Sequence, residues 1–354
     1  NGGWPHSERY DNECKKYNYD PVRIAQELDI NPQKAGSAVF DQDKINTAIK
    51  FLSEEKPELR YFKLEFKIED ARPIMPGMDY DKESYRQAKT WGVIAREGSP
   101  GEGIKLRVWK EPFSCNDKRC ACGGTGLHTY VAGGDTCCNV DGDYHCLYIW
   151  DATAGQCVAE WHGYGEHKPV AHEWAMICKW YGSASKPRWP DALAFVESNT
   201  DTVVLETLEK LGVWVAVNTS ESSIKKKKSP RLGIFADKWN KPYIIKECLQ
   251  PEISGSAPHN PQMPRLAVPF IDFWKEARTY VYKYSDKTEM RPENAKMGAQ
   301  TRKDHDDRVM AMAYAIYGAK TRLGMIRGFV AKGALAKHLQ WRESQGRRPT
   351  FAKS

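Results

Sequence analysis

From residue 61 to residue 68 the chain alternates, with Phe62, Leu64, Phe66 and Ile68 apolar and Lys63, Glu65 and Lys67 between them. A period of two belongs to a strand with one wet face, so β structure is expected here. Residues 92–95 and 104–109 predict two more strands. Three closely spaced ones follow at 130–135, 144–150 and 156–161, with the turn signal Asp141-Gly142 between the first two. Consecutive strands joined this tightly make an antiparallel meander. The period then changes. Residues 172–181 are helical in pattern, 192–196 form a continuous apolar run suited to a buried strand, and 202–211 are helical again. An apolar segment at 213–217, a Pro/Ser/Asn-rich stretch at 251–264 and a last helix over about 306–320 complete the pattern. The first fifty residues read as polar and helical, with an amphipathic run after Asp20-Pro21 and a second apolar pattern near Ile45 and Phe51. This order predicts an α/β fold with a mixed central sheet flanked by helices. Boundaries are expected at 1–55 for a lead-in, 56–320 for the main domain and 321–354 for a basic tail, with an insertion around 110–128.

The chain has 354 residues, 41% of them hydrophobic, which is enough for a sizeable core. No window approaches the ~18 apolar residues of a membrane span. The first thirty residues lack signal-peptide order, so a cytoplasmic protein is expected and the ten cysteines are expected to be reduced thiols. A net charge of +7 decides little, but its distribution is uneven. The segment from Lys320 to Lys353 is rich in lysine and arginine against a single acid, Glu343, and Lys225, Lys226, Lys227 and Lys228 form a second basic run. Both suit phosphate backbones; the plainer reading is a solvated loop and a basic chain end. Cys115, Cys120 and Cys122, with Cys137, Cys138, Cys146, His128 and His145 nearby, are spaced Cys-x4-Cys-x-Cys rather than as paired Cys-x2-Cys knuckles. Free thiols in an inserted loop are therefore expected, and zinc is not.

Four acidic positions stand at the ends of apolar elements, where core-building does not call for them: Asp135, Asp143, Glu197 and one of Asp306 or Asp307. A hairpin would bring Asp135 and Asp143 side by side, Glu197 ends the buried strand, and Asp306 and Asp307 open the last helix. Singly, each acid reads as a cap, a turn residue or a surface charge. As a set they make an oxygen-rich anionic pocket of the kind that holds Mg²⁺ or Mn²⁺, and two such ions suit phosphodiester hydrolysis.

The residues around these acids resemble a family, the large subunits of the terminases that package DNA into tailed-phage capsids. Leu106-Arg107-Val108-Trp109, residues 130–135, Gly142-Asp143-Tyr144 and residues 155–163 are similar to the family's opening nuclease hairpin. Ala194-Phe195-Val196-Glu197-Ser198-Asn199 resembles its strand-end glutamate followed by asparagine, and residues 303–311, beginning Lys303-Asp304-His305-Asp306-Asp307-Arg308, resemble its C-terminal acidic motif. Residues 20–29 and 37–40 resemble the passage from the ATPase domain into the nuclease domain, so the likeness covers about 15–320.

The resemblance implies an RNase H-like fold of the RuvC/integrase type and an endonuclease that cuts concatemeric viral DNA with two divalent metals. It assigns metal binding and catalysis to Asp135, Glu197 and Asp307 or Asp306, with Asp143 as an auxiliary ligand. Apart from the resemblance, Asn199 reads as holding a loop or meeting a phosphate, and His305 as orienting a ligand or a water or as an ordinary histidine at the start of a helix. Lys225 to Lys228, Lys303 and Arg308 would be phosphate contacts. It further implies duplex DNA, the portal protein, the small terminase subunit and an ATPase domain as partners, in the cytoplasm of an infected bacterial host and away from membranes. No Gly-x-x-x-x-Gly-Lys-Ser/Thr loop occurs in the sequence, so no ATPase activity is expected of it, and a part of a longer protein is expected. Asp201 stands where the family often has glycine. A resolvase or transposase-like nuclease, or a non-cleaving domain that grips DNA or the portal, are the alternatives.

Overall fold

The computed structural model describes residues 38–67, 92–136 apart from 113, 119, 121 and 125–127, 144–182, 192–199, 202–218, 231–236, 240–283 apart from 259, 296–299 and 305–326, besides positions 12 and 15. Asp143, Lys225 to Lys228 and Lys303 lie outside the described residues, as does most of the basic tail. Two compact units interleave along the chain, one containing 55–249, 266–270 and 307 onward, the other residues up to 54, 250–265 and 271–306. Among the described residues, no helix is long and apolar enough to cross a membrane.

The larger unit is built on a seven-stranded sheet. Its strands are β1 (Arg60–Lys67), β2 (Gly92–Gly98), β3 (Leu106–Val108), β4 (Tyr130–Asp135), β5 (His145–Asp151), β6 (Gln156–Gly163) and β7 (Leu193–Val196), in the spatial order β2-β1-β3-β6-β5-β4-β7. All neighbours run antiparallel except β4 and β7, which are parallel. The parallel pair requires a crossover, supplied by helix α2 (His167–Gly182). After α3 (Val203–Lys210) the chain returns along β7, where Val215 bridges Ala194 in parallel. A meander followed by two parallel additions beside its first strand is the RNase H-like arrangement, here extended past β6 by β3, β1 and β2. β4 and β5 are buried along their whole lengths, as central strands covered on both faces must be.

Helices cover opposite faces of this sheet. On one side the core joins Trp161, Trp174, Ala175, Cys178, Leu205 and Leu208 to Leu147, Ala194 and Val196. On the other lies α5 (Asp307–Ile326), whose residues 309–316 are all buried. Its far part is tied to the π-helical turn Ile244–Leu249, where Lys320 Nζ donates to the carbonyls of Glu247 and Cys248 at 3.1 and 3.0 Å.

The smaller unit contains α1 (Gln42–Glu55) up to Glu54, capped by Asp41 Oδ1, which accepts from the backbone N–H groups of Asp43 and Lys44. The Pro/Ser/Asn-rich stretch contains a short hairpin, Ser256–Ala257 with Asn260–Pro264. Helix α4 (Ile271–Arg278) is followed by a strand, Tyr280–Lys283, which pairs with Lys296–Ala299.

Candidate active site

The parallel register of β4 and β7 places their C-terminal ends together. Gly133 pairs with Phe195 and Gly134 with Val196, and the Glu197 backbone N–H donates to Gly134 O at 3.0 Å. Asp135 and Glu197 therefore leave adjacent strands at neighbouring positions, on backbones about 4.8 Å apart.

Alternation decides which way they point. A Cβ built on Gly133 would lie 2.2 Å from Ala311 O and Ala315 N of α5, whereas one on Gly134 would meet Trp174 of α2. Odd positions of β4 thus face α5, and Asp135 shares that parity. On β7, Phe195 touches Tyr317 and Gly318 of α5, so Glu197 faces the same side. Asp307 opens α5, one turn before Ala311. The helix lies close on the strand because the contact is glycine against helix backbone, with no side chain between.

Asp135 and Asp307 are each 9% exposed and Glu197 is half-buried. Asp306 is half-buried and falls at the end of the smaller unit, so Asp307 is the acid that shares a unit with the two strand-end carboxylates. Each strand-end acid is followed by a buried hydroxyl, Thr136 Oγ1 and Ser198 Oγ, with no hydrogen-bond partner among the described residues. Buried polar atoms normally have partners, so these orphans suit a pocket that takes up water or a hydrated cation. The donor set is all oxygen, which fits Mg²⁺ or Mn²⁺. Among the described residues the carboxylates do not form a group of three within 4.8 Å of one another; the group that does is Cys115, Cys120, Cys122 and His128. An ion pair about 3.5 to 4 Å apart draws on ligands spread more widely than a single ion does.

Asn199 clamps a loop: its Nδ2 donates to Ala236 O at 2.6 Å and its Oδ1 accepts from Ala236 N at 2.8 Å. That loop reaches the strand ends through Gly233, whose φ of 81° suits glycine, and through Ile234, whose N–H donates to Val196 O at 2.8 Å. His305 is half-buried ahead of α5. Arg308, expected as a phosphate contact, is turned inward, its Nε donating to Glu160 Oε1 at 2.9 Å.

Glu160 is a buried carboxylate to which the sequence reading gave no role. It is fully buried in β6 and receives Arg308, Arg107 Nε at 2.7 Å and the Tyr148 hydroxyl at 2.6 Å. Burial pushes its carboxyl upward, but the Arg107 and Arg308 guanidiniums outweigh that and hold it below its ordinary 4.5. Burial first, and then the Glu160 carboxylate, push the Tyr148 phenol well above its ordinary value, so Tyr148 remains a donor. The network fastens the first turn of α5, where Asp307 sits, to the sheet. One signal could have found it: a glutamate in the middle of the apolar run Cys157-Val158-Ala159-Glu160-Trp161 needs a buried partner.

No protein-family model and no curated protein matches the chain. Among solved structures it is similar to the large terminase nuclease from thermophilic phage G20c, at 17% identity and a TM-score of 0.41, over 60% of this chain and 87% of that one. It is also similar to the magnesium-bound form of that nuclease, at 16% identity, a TM-score of 0.38 and the same coverage. A third likeness is to the large terminase nuclease domain of Thermus phage P74-26, at 18% identity and a TM-score of 0.36, over 60% of this chain and 84% of that one.

Proposed function

We infer that this chain is a divalent-metal-dependent endonuclease acting on double-stranded DNA, of the terminase large-subunit type that cuts concatemeric viral DNA during packaging. The observation that carries the reading is the convergence of Asp135 and Glu197 on the sheet face covered by the helix that Asp307 opens. The motifs quoted from the sequence support the narrower assignment to terminases.

Asp135, Glu197 and Asp307 would hold the metal, with Asp143 as an auxiliary ligand. Bound there, it would supply Lewis acidity and charge neutralisation at a scissile phosphate. The chain's own part is rigidity. Two paired strands and a helix seated on glycine hold the carboxylates, Glu160 fastens the helix start through Arg308, and Asn199 fixes the loop beyond Glu197. Lys225 to Lys228, Lys303 and the basic tail are proposed as sequence-independent phosphate contacts. The portal, the small terminase subunit and an ATPase domain are the proposed partners, in the cytoplasm of an infected bacterium.

The test is plasmid cleavage with Mn²⁺, with Mg²⁺ and with no divalent ion, beside Asp135→Ala and Glu197→Ala. Metal-dependent cutting that both substitutions abolish is expected. Duplex binding without cutting would replace this reading with a DNA-gripping domain.

A further inference from the structure

Cys115, Cys120, Cys122 and His128 lie between β3 and β4, at the end of β4 away from Asp135. Their ligand atoms are all within 4.8 Å of one another. Cys122 Sγ is 3.6 Å from Cys115 Sγ, and Cys120 Sγ is 3.5 Å from His128 Nε2. Around a tetrahedral zinc, with bonds of about 2.3 Å to sulfur and 2.0 to 2.1 Å to nitrogen, those edges would be about 3.8 and 3.5 Å. The observed edges have the size of a coordination tetrahedron, whereas a disulfide would bring two sulfurs to about 2.05 Å.

The loop is shaped for this convergence. Cys120 N donates to Asp117 O at 3.0 Å and Gly123 N to Cys120 O at 2.8 Å. Gly124 takes a φ of 76°, with its backbone so near Asn116 O that an added Cβ would lie 3.2 Å away. His128 is nearly fully buried, and its other ring nitrogen, Nδ1, is held by Asp151 Oδ2. Asp151 is in turn fixed by the backbone N–H groups of Thr153 and Ala154, each 3.0 Å from its Oδ1. A buried carboxylate on the far nitrogen is the usual companion of a metal-ligating histidine, since it sets ring orientation and leaves Nε2 toward the metal.

We propose that Cys115, Cys120, Cys122 and His128 form a structural zinc site, with Asp151 as the carboxylate that orients His128. Three thiolates and an imidazole select zinc over magnesium or manganese. Four protein ligands complete the tetrahedron and leave no position for a reacting water, so the ion's role is to hold the fold. It joins the inserted loop to the start of β4 and, through Asp151, to the end of β5. The five steps from Tyr130 to Asp135, at about 3.3 Å each, put roughly 17 Å of strand between this site and the carboxylates.

The test uses the full chain purified under reducing conditions without chelator. Elemental analysis is expected to find about one zinc per chain, released in step with titration of the thiols by a mercurial. Replacement by Co²⁺ is expected to give thiolate-to-metal charge transfer and the d–d bands of tetrahedral cobalt. Cys120→Ser and His128→Ala should lose the metal, and Asp135→Ala should keep it. Should the ligand variants fail to fold, Asp151→Asn retains all four ligands and is expected to weaken zinc affinity about 10- to 100-fold. Protein that holds no zinc and takes none up under reducing conditions would overturn the proposal. So would zinc that survives the cysteine substitutions and is lost in Asp135→Ala.

Discussion

The two ends of the β4–β5 hairpin carry opposite kinds of donor. At one end Asp135, with Glu197 and Asp307, offers hard carboxylate oxygens borne on three elements far apart in sequence. At the other, three sulfurs and an imidazole come from one short loop and its lead into β4. The first set is spread and bordered by buried hydroxyls, as suits ions that must admit a water and a phosphate. The second is closed on itself, as suits an ion that only holds structure. Both sets border the same strand, β4, which is buried along its length and paired on both sides.

This contrast can be broken by substitutions that strike one end alone. The largest expected effect is on cleavage: Asp135→Ala or Glu197→Ala should reduce plasmid cutting by about three orders of magnitude or more while thermal melting stays near that of the parent. A matching fall in melting temperature would assign these acids to the fold instead. Next is Glu160→Ala, which leaves Arg107 and Arg308 without their buried carboxylate and is expected to cost about 3 to 5 kcal/mol in urea unfolding.

The same residue gives a pH dependence. The Glu160 carboxyl titrates below its ordinary 4.5 in the folded chain, so the unfolded chain takes up its proton first on acidification. Its stabilisation is present above about pH 4.5 and is lost as pH falls through the folded value. The stability gap between the parent and Glu160→Gln should therefore be full at pH 7 and shrink below pH 4.5. A gap constant with pH would mean that Glu160 acts by shape rather than charge.

Gly133→Ala is expected to have a smaller effect on stability, about 1 to 3 kcal/mol, because the new methyl meets the backbone of α5 and pushes it off the sheet. Cleavage should fall with it, since Asp307 moves with the helix, while the metal content of the cysteine loop stays unchanged. The smallest effect is that of Asn199→Ala, which removes two hydrogen bonds to Ala236 and should cost about 1 to 2 kcal/mol, measured as faster hydrogen exchange in that loop.

Much of the frame was legible along the chain. The residue ranges read for β4 and β6, and for the buried strand beside β4, differ from the observed ones by no more than two residues, because local periodicity and turn chemistry determine them. The order of meander, helix, strand and helix left few topologies open, since a parallel return needs a crossover. The stretch at 266–283 was not assigned, and it contains a helix and a strand. Its apolar positions are dense rather than periodic, and a helix of eight residues beside a strand of four is too short for a period of 3.6 to separate from one of two.

What the sequence by itself determined was the meander, the helices and buried strand that follow it, their order and the acids at their ends, all properties of neighbours along the chain. Only the tertiary structure decided which acids share a face, because parity across β4 and β7 depends on their register and on the helix that Gly133 admits. It also turned Arg308 inward to Glu160 and joined His128 to three cysteines whose spacing had argued against a metal. Spacing rules assume a particular local turn, whereas ligands converge wherever the backbone folds back. Here the closing partner, Asp151, comes from the far strand of a hairpin, a contact that sequence distance conceals.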